Sequence, residues 1–233
     1  MVTPNDLIQF DGPDTAWKIT LDTPLGGDHD ADEESAAKLA GGFTEPPGFT
    51  VADNGSVVSF RARVNGARTE GTEYPRTELR EMQAAHPDQR ASWKTNDSTS
   101  HSMQYDVAVI AAPKKKPQVV CGQIHNGGED ILEIMYDGKK KAIVYRWFGE
   151  SQDDKLITGY ELGTFFTLRI DVADGKVNIS INGDLKATKS VSKSGCYFKA
   201  GCYTQSNMEK EGGDASQFGE VWIKNLRVTG GGV

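Results

Sequence analysis

Basic charge, cysteine and long apolar runs are all scarce in this chain. Of 233 residues, 26 are Lys or Arg and 33 are Asp or Glu, a formal net charge of −7. The molecule as a whole therefore lacks the positive field with which nucleic-acid binders hold phosphate. No run of about 18 apolar residues exists, so no helical membrane span is expected. The only cysteines are Cys121, Cys196 and Cys202. Placed on one face of a single strand, Cys196 and Cys202 would be about 20 Å apart, too far for a disulfide unless the strand is broken. Their spacing gives no metal site and leaves the redox compartment open. No Pro-, Gly- or Ser-rich linker divides the sequence, and no internal repeat occurs, so one domain over residues 1–233 is expected. The opening Met1-Val2-Thr3-Pro4-Asn5-Asp6 lacks the basic and apolar regions of a secretory leader. That fits either a cytoplasmic protein or one whose leader has been removed.

Helical signal is also scarce. Asp30 to Ala40 is the one good helical stretch, with acidic residues first, Lys38 late and Gly41-Gly42 after it. Short extended pieces are read at Leu7 to Phe10 and Trp17 to Leu21. From Phe43 onward the pattern is β. Ser56 to Val64 alternates Val58, Phe60, Ala62 and Val64 against Ser59, Arg61 and Arg63. Met103 to Ile110 is another strand, followed by Lys114-Lys115-Lys116 between two prolines, which reads as a solvated loop. Asp137-Gly138, Asp174-Gly175 and Asn182-Gly183 punctuate the second half and mark tight hairpins. The last strand spans about Phe218 to Val228, and Gly230-Gly231-Gly232 reads as a frayed tail. About a dozen antiparallel strands with one short helix mean an all-β jelly roll, a two-sheet sandwich with a concave groove.

Three stretches carry chemistry on one face of a strand. In Tyr197-Phe198-Lys199-Ala200-Gly201-Cys202-Tyr203-Thr204-Gln205, one face is Phe198, Ala200, Cys202 and Thr204. The other is Tyr197, Lys199, Tyr203 and Gln205, with a gap at Gly201. In Arg76-Thr77-Glu78-Leu79-Arg80-Glu81-Met82, Arg76, Glu78 and Arg80 share a face. In Gln123-Ile124-His125, Gln123 and His125 point one way and Ile124 the other. Only a sheet brings such faces together, and the resulting surface suits a polar, anionic ligand.

A polyuronate is one such ligand. The hydrogen on C5 of each sugar lies α to a carboxylate, and its removal adds negative charge to an anion. The reaction needs the carboxylate neutralised, a base for the C5 proton and an acid for the departing O4. Arg76 offers a fixed, forked cation and Gln123 an amide donor. His125 and Tyr203 are the proton handlers available on these faces. No carboxylate pair has a glycosidase-like arrangement, and Glu78, between Arg76 and Arg80, reads as a positioning group.

Arg-Thr-Glu-Leu-Arg-Glu at 76–81, Gln-Ile-His at 123–125 and Tyr-Phe-Lys-Ala-Gly-Cys-Tyr-Thr-Gln at 197–205 resemble, in order and spacing, the three signature blocks of the family 7 polysaccharide lyases, the alginate lyases. The resemblance implies a β-jelly roll that cleaves alginate endolytically by β-elimination, with no metal or other cofactor. It makes Arg76 and Gln123 the carboxylate neutralisers. His125 becomes a proton acceptor or its assistant, and Tyr203 the catalytic acid with scope to serve as base too. Glu78, Arg80, Lys199 and Gln205 would bind substrate. Isoleucine at position 124 is associated in the family with cutting guluronate-containing stretches. Tyr197, Arg61 and Arg63 are further candidate binders. The partner implied is the anionic polysaccharide alone, met by a secreted or periplasmic monomer.

Duller readings stand beside these. The Arg76–Arg80 stretch could be a ladder of surface ion pairs, and His125 or Tyr197 ordinary strand residues. His29, His86 and His101 read as surface residues. A non-catalytic, lectin-like polyuronate-binding module would share fold and polar face, though it has no reason to collect His, Tyr, Arg and Gln. A lyase for another polyuronate, such as glucuronan, would share the chemistry.

Overall fold

Alternation and turn chemistry account for most of the strands. The structure, a computed structural model, describes residues 2–26 and 29–230. The tail glycines Gly231 and Gly232 lie outside the described residues. In chain order the first strands are β1 (Ala16–Thr20), β2 (Glu33–Glu34), β3 (Phe49–Ala52), β4 (Val57–Arg63) and β5 (Arg76–Met82). β6 (His101–Ala111), β7 (Gln118–His125), β8 (Asp130–Asp137), β9 (Ala142–Trp147) and β10 (Asp154–Thr158) follow. The series ends with β11 (Phe166–Ala173), β12 (Lys176–Ile181), β13 (Asp184–Ser190), β14 (Tyr197–Thr204) and β15 (Phe218–Thr229). They form an eight-stranded sheet in the order β10-β9-β8-β7-β14-β5-β1-β2 and a seven-stranded sheet in the order β13-β12-β11-β6-β15-β4-β3. All recorded pairings are antiparallel.

The sandwich is held by the inward face of each sheet. Trp17, Ile19, Leu79, Ile124, Phe198 and Cys202 from one sheet meet Phe49, Phe60, Met103, Leu168 and Val221 from the other in one buried cluster. Removing a ring such as Phe198 from this packing costs about 3–5 kcal/mol. The hairpin turns at Asp174-Gly175 (φ 50° and 72°) and Asn182-Gly183 (φ 52° and 87°) have the left-handed backbone their residues favour. The turn after Asp137 is built differently. Its left-handed residue is Lys141 (φ 46°), and the Asp137 carboxylate accepts from the backbone N–H groups of Lys139 and Lys140 at 2.9 and 3.1 Å.

The expected helix from Asp30 is shorter. α1 (Pro4–Leu7) occupies part of the region read as extended, and α2 covers only Ala36–Ala40. Ser35 caps α2, its Oγ accepting from Lys38 N at 3.3 Å. Glu33 and Glu34 instead pair with β1, because the Glu33 carboxylate is bound by Lys18, Arg80 and Thr20. Three cross-strand partners outweigh a weak helical start. His101, expected at the surface, is buried against Trp93, with ring centroids 4.7 Å apart, and meets Asp97. All three cysteines are free and buried.

Candidate active site

The sheet order puts the three chemically loaded strands side by side, β14 between β5 and β7. Register then aligns their outward residues. Tyr203 lies opposite Arg76, Gly201 opposite Glu78 and Lys199 opposite Arg80. On the other side Lys199 lies opposite Gln123, and Tyr197 opposite His125. A bulge at Cys121 keeps this face coherent: Val119 and Cys121 enter the core, while Val120 turns outward to the patch that holds Tyr203. Gly201 is required by its position. Its φ is 144°, and a Cβ there would sit 2.7 Å from Glu78 Cα and Thr77 O. The glycine thus lets β14 close on β5 where Glu78 emerges.

Glu78 is the hub. One carboxylate oxygen accepts from Gln123 Nε2 at 2.5 Å; the other meets Lys199 Nζ at 2.5 Å and Arg76 Nη1 at 3.3 Å. Burial alone would raise the Glu78 pKa, but Lys199 and Arg76 overcome it and hold the carboxyl below the usual range. Burial, reinforced by Arg76, lowers the Lys199 pKa. The Arg76 guanidinium also lies over the Tyr203 ring, 3.8 Å from its centroid. Arg76 Nε and Gln123 Oε1 are buried without a hydrogen-bond partner. The unpartnered Arg76 N–H is a buried donor that the surrounding protein leaves unsatisfied.

Burial dominates the two proton handlers. Tyr203, 8 % exposed, has its pKa pushed up to about 12 despite Arg76, so its phenol keeps its proton at neutral pH. His125 is pushed down to about 4 by burial and then by Lys199, so its ring is neutral. Gly127 N–H donates to His125 Nδ1 at 2.8 Å, and the Tyr197 hydroxyl lies 3.0 Å from the same atom. The lone pair is therefore on Nδ1, and the ring proton sits on Nε2, which faces Asp130 Oδ1 at 3.3 Å. In this state the imidazole donates through Nε2.

The structure brings together Arg76, Glu78, Gln123, Lys199, Tyr203, His125 and Tyr197. Arg80 stands at the border of the face, bound to Glu33 at 3.0 Å. Gln205 follows β14 outside the hydrogen-bonded cluster, its amide turned to Thr204 O at 3.4 Å. Arg61 and Arg63 do not belong to this face. They lie on β4 of the seven-stranded sheet, held by Glu220 and Asp22, each at 2.6 Å. Alternation gave them a polar face but not the sheet it belongs to. Two neighbours escaped the sequence reading. Glu133 on β8 lies opposite Gln123, and Arg146 on β9 lies opposite Glu133. Burial, then Asp130, raises the Glu133 pKa to about 7. A single acid between Leu132 and Ile134 was the available signal.

Among the described residues, no group of three or more His, Cys, Asp or Glu side chains is placed to hold a metal ion. Glu78 is committed to two cations and an amide, so it is not a free carboxylate of a glycosidase-like pair. A forked cation, an amide, an imidazole and a phenol on one sheet face suit proton abstraction beside a carboxylate. These features define the class, a jelly-roll polysaccharide lyase. The family model described as alginate lyase matches residues 10–230. A solved alginate lyase from polysaccharide lyase family 7 is 38% identical, with a TM-score of 0.85 covering 98% of this chain and 99% of its own. The alginate lyase of a Corynebacterium species is 33% identical, with a TM-score of 0.88 and 97% of each chain covered. An alginate lyase of Klebsiella pneumoniae is 25% identical over 268 residues, 89% of this chain and 86% of that protein. The chain belongs to the alginate lyases of polysaccharide lyase family 7.

Proposed function

We propose that this protein cleaves alginate by β-elimination, with residues 1–233 acting as one catalytic domain. Arg76 and the second amide N–H of Gln123 receive the C5 carboxylate of the sugar and stabilise the charge that develops there. The C5 proton leaves to a base, the C4–C5 double bond forms, the C4–O4 bond breaks, and O4 takes the phenolic proton of Tyr203. The observation that carries this reading is the pairing of Arg76 with Tyr203 across β5 and β14, one residue for the carboxylate and one for the leaving oxygen. Glu78 holds Arg76, Gln123 and Lys199 in place, and Lys199, Arg80, Gln205 and Tyr197 contribute to holding the chain.

His125 accepts the C5 proton once its ring leaves Gly127 or exchanges its Nε2 proton. A second reading is favoured by the bonds already made to Nδ1: Tyr203 first gives up its phenolic proton, against its raised pKa, then takes the C5 proton as phenolate and passes it to O4, while His125 donates through Nε2. Preference for guluronate-containing stretches rests on the family resemblance at Ile124. Endolytic action is supported by polar groups on both sides of the reactive cluster, which suit an internal stretch of chain. A polymeric substrate supports action outside the cytoplasm, and one chain carries every residue invoked, consistent with a monomer.

Tyr203→Phe tests the assignment. It retains the ring stacked on Arg76 and removes only the proton. Turnover should fall by about a thousandfold or more, with oligosaccharide binding retained. Turnover near that of the parent would remove Tyr203 from the mechanism.

A further inference from the structure

The loop Lys114-Lys115-Lys116, read from the sequence as solvated, is fixed. Glu211, 2 % exposed, accepts from the backbone N–H groups of Lys115 and Lys116 at 2.8 and 3.0 Å and from Ser206 Oγ at 2.5 Å. This ties the loop before β7 to the loop after β14, so one end of the antiparallel β7–β14 pair is pinned by one buried carboxylate. On the lysine loop the clamp uses backbone groups only and leaves the Lys116 ammonium available.

That ammonium points along the reactive face. Lys116 Nζ donates to the Tyr74 hydroxyl at 2.9 Å and lies 4.2 Å from the centre of the Tyr74 ring. The Tyr74 ring is 6.5 Å from that of Tyr203. Tyr74 packs on Val120, Met135, Ala142 and Val144, the apolar floor that also carries Tyr203. Among the described residues, no carboxylate forms an ion pair with Lys116. Glu73 and Glu133 attract it at longer range, while Lys210 and Arg146 repel it. The result is a half-buried, rigidly placed cation on an aromatic-floored stretch, one step beyond the catalytic phenol.

We propose that Lys116 binds the carboxylate of a uronate residue adjacent to the scissile bond, on the Tyr203 side of the reactive cluster, and that Tyr74 forms the floor of this subsite. The inference rests on the reading of this face as a polyuronate lyase. The periodicity of a polyuronate makes the chemistry specific: a chain positioned by one carboxylate at Arg76 presents another carboxylate further along. A neutral glucan would gain nothing from a lysine there. Burial and Lys210 hold the Lys116 pKa below its ordinary value, and a bound carboxylate would restore it.

The test compares Lys116→Met with the parent enzyme on a series of oligouronates and on the polymer. The polymer should lose about tenfold in kcat/KM, carried by KM, and the loss should shrink for oligomers too short to reach the subsite. Lys116→Arg should recover most of the loss, which loop damage would not allow. Lys114→Ala, exposed in the same loop, serves as the control and should match the parent. An unchanged KM on polymer, or equal losses at every chain length, would overturn the subsite. If Lys116→Met does not fold, Tyr74→Phe provides the second measurement; it frees the ammonium and should alter KM in the same length-dependent way, and no change would also overturn the proposal. Failure of the lyase reading itself would appear earlier, as parent enzyme that forms no unsaturated product from any uronate polymer.

Discussion

Two strands carry the same short pattern, an arginine and an acid two residues apart, and treat it oppositely. On β11, Arg169 and Asp171 form a closed pair in solvent, with Nε at 2.7 Å and Nη2 at 2.6 Å from the two carboxylate oxygens. On β5, Arg76 and Glu78 are buried and incompletely joined. A single contact of 3.3 Å links them, Arg76 Nε has no partner, and Glu78 is shared with Lys199 and Gln123. The exposed pair satisfies itself. The buried pair leaves a donor unspent, which a structural ion pair would have no reason to do. Arg61 and Arg63, bound through two nitrogens each by Glu220 and Asp22, follow the first pattern.

A second contrast lies within β5. Glu78 and Glu81 are both buried, on opposite faces of one strand. Glu78 faces cations and stays ionised. Glu81 faces the core, where Trp93 Nε1 at 3.0 Å and Phe198 N at 2.8 Å are its donors among the described residues. Burial wins there, and its pKa rises to about 7. Identical side chains three residues apart thus shift in opposite directions because strand alternation gives them different neighbours.

The largest expected effect breaks the buried hub. Glu78→Gln leaves Lys199 and Arg76 without their counter-charge, and unfolding free energy in urea should fall by about 3–5 kcal/mol. A loss below about 1 kcal/mol would mean that the cluster is solvated like a surface pair. The next effect concerns pH. Glu81 binds its proton more tightly folded than unfolded, so its contribution is complete below the ordinary value of 4.5 and is lost as pH rises through about 7. Glu81→Gln should therefore gain on the parent protein by on the order of 3 kcal/mol between about pH 5 and about pH 8. A gap independent of pH would show that Glu81 ionises normally. The smallest effect is at the exposed pair. Asp171→Ala should change stability by less than about 1 kcal/mol and leave activity untouched.

Much of this was legible in the sequence. Period-two alternation located β5, β7 and β14 and divided their faces correctly, because a strand core demands it. Asp174-Gly175 and Asn182-Gly183 fixed two turns through their φ angles. What failed depended on tertiary partners. Glu33 joined a strand because three groups bind its carboxylate. His101 was buried by Trp93. Arg61 and Arg63 could not be assigned to a sheet, since alternation carries no information on which sheet a strand joins. Lys116 looked solvated because the carboxylate that fixes its loop is Glu211, 95 residues away. The state of the His125 nitrogens was likewise invisible, since it is set by the backbone of Gly127.

The most direct test of the account is near-ultraviolet absorbance during incubation of the parent protein with alginate, and separately with polyguluronate, polymannuronate and glucuronan. Elimination leaves a C4–C5 double bond conjugated to the carboxylate, which absorbs. The account predicts a rise with alginate, faster on guluronate-containing polymer. No rise with any of the four, in folded protein that binds alginate, would contradict it and leave a polyuronate-binding module in its place.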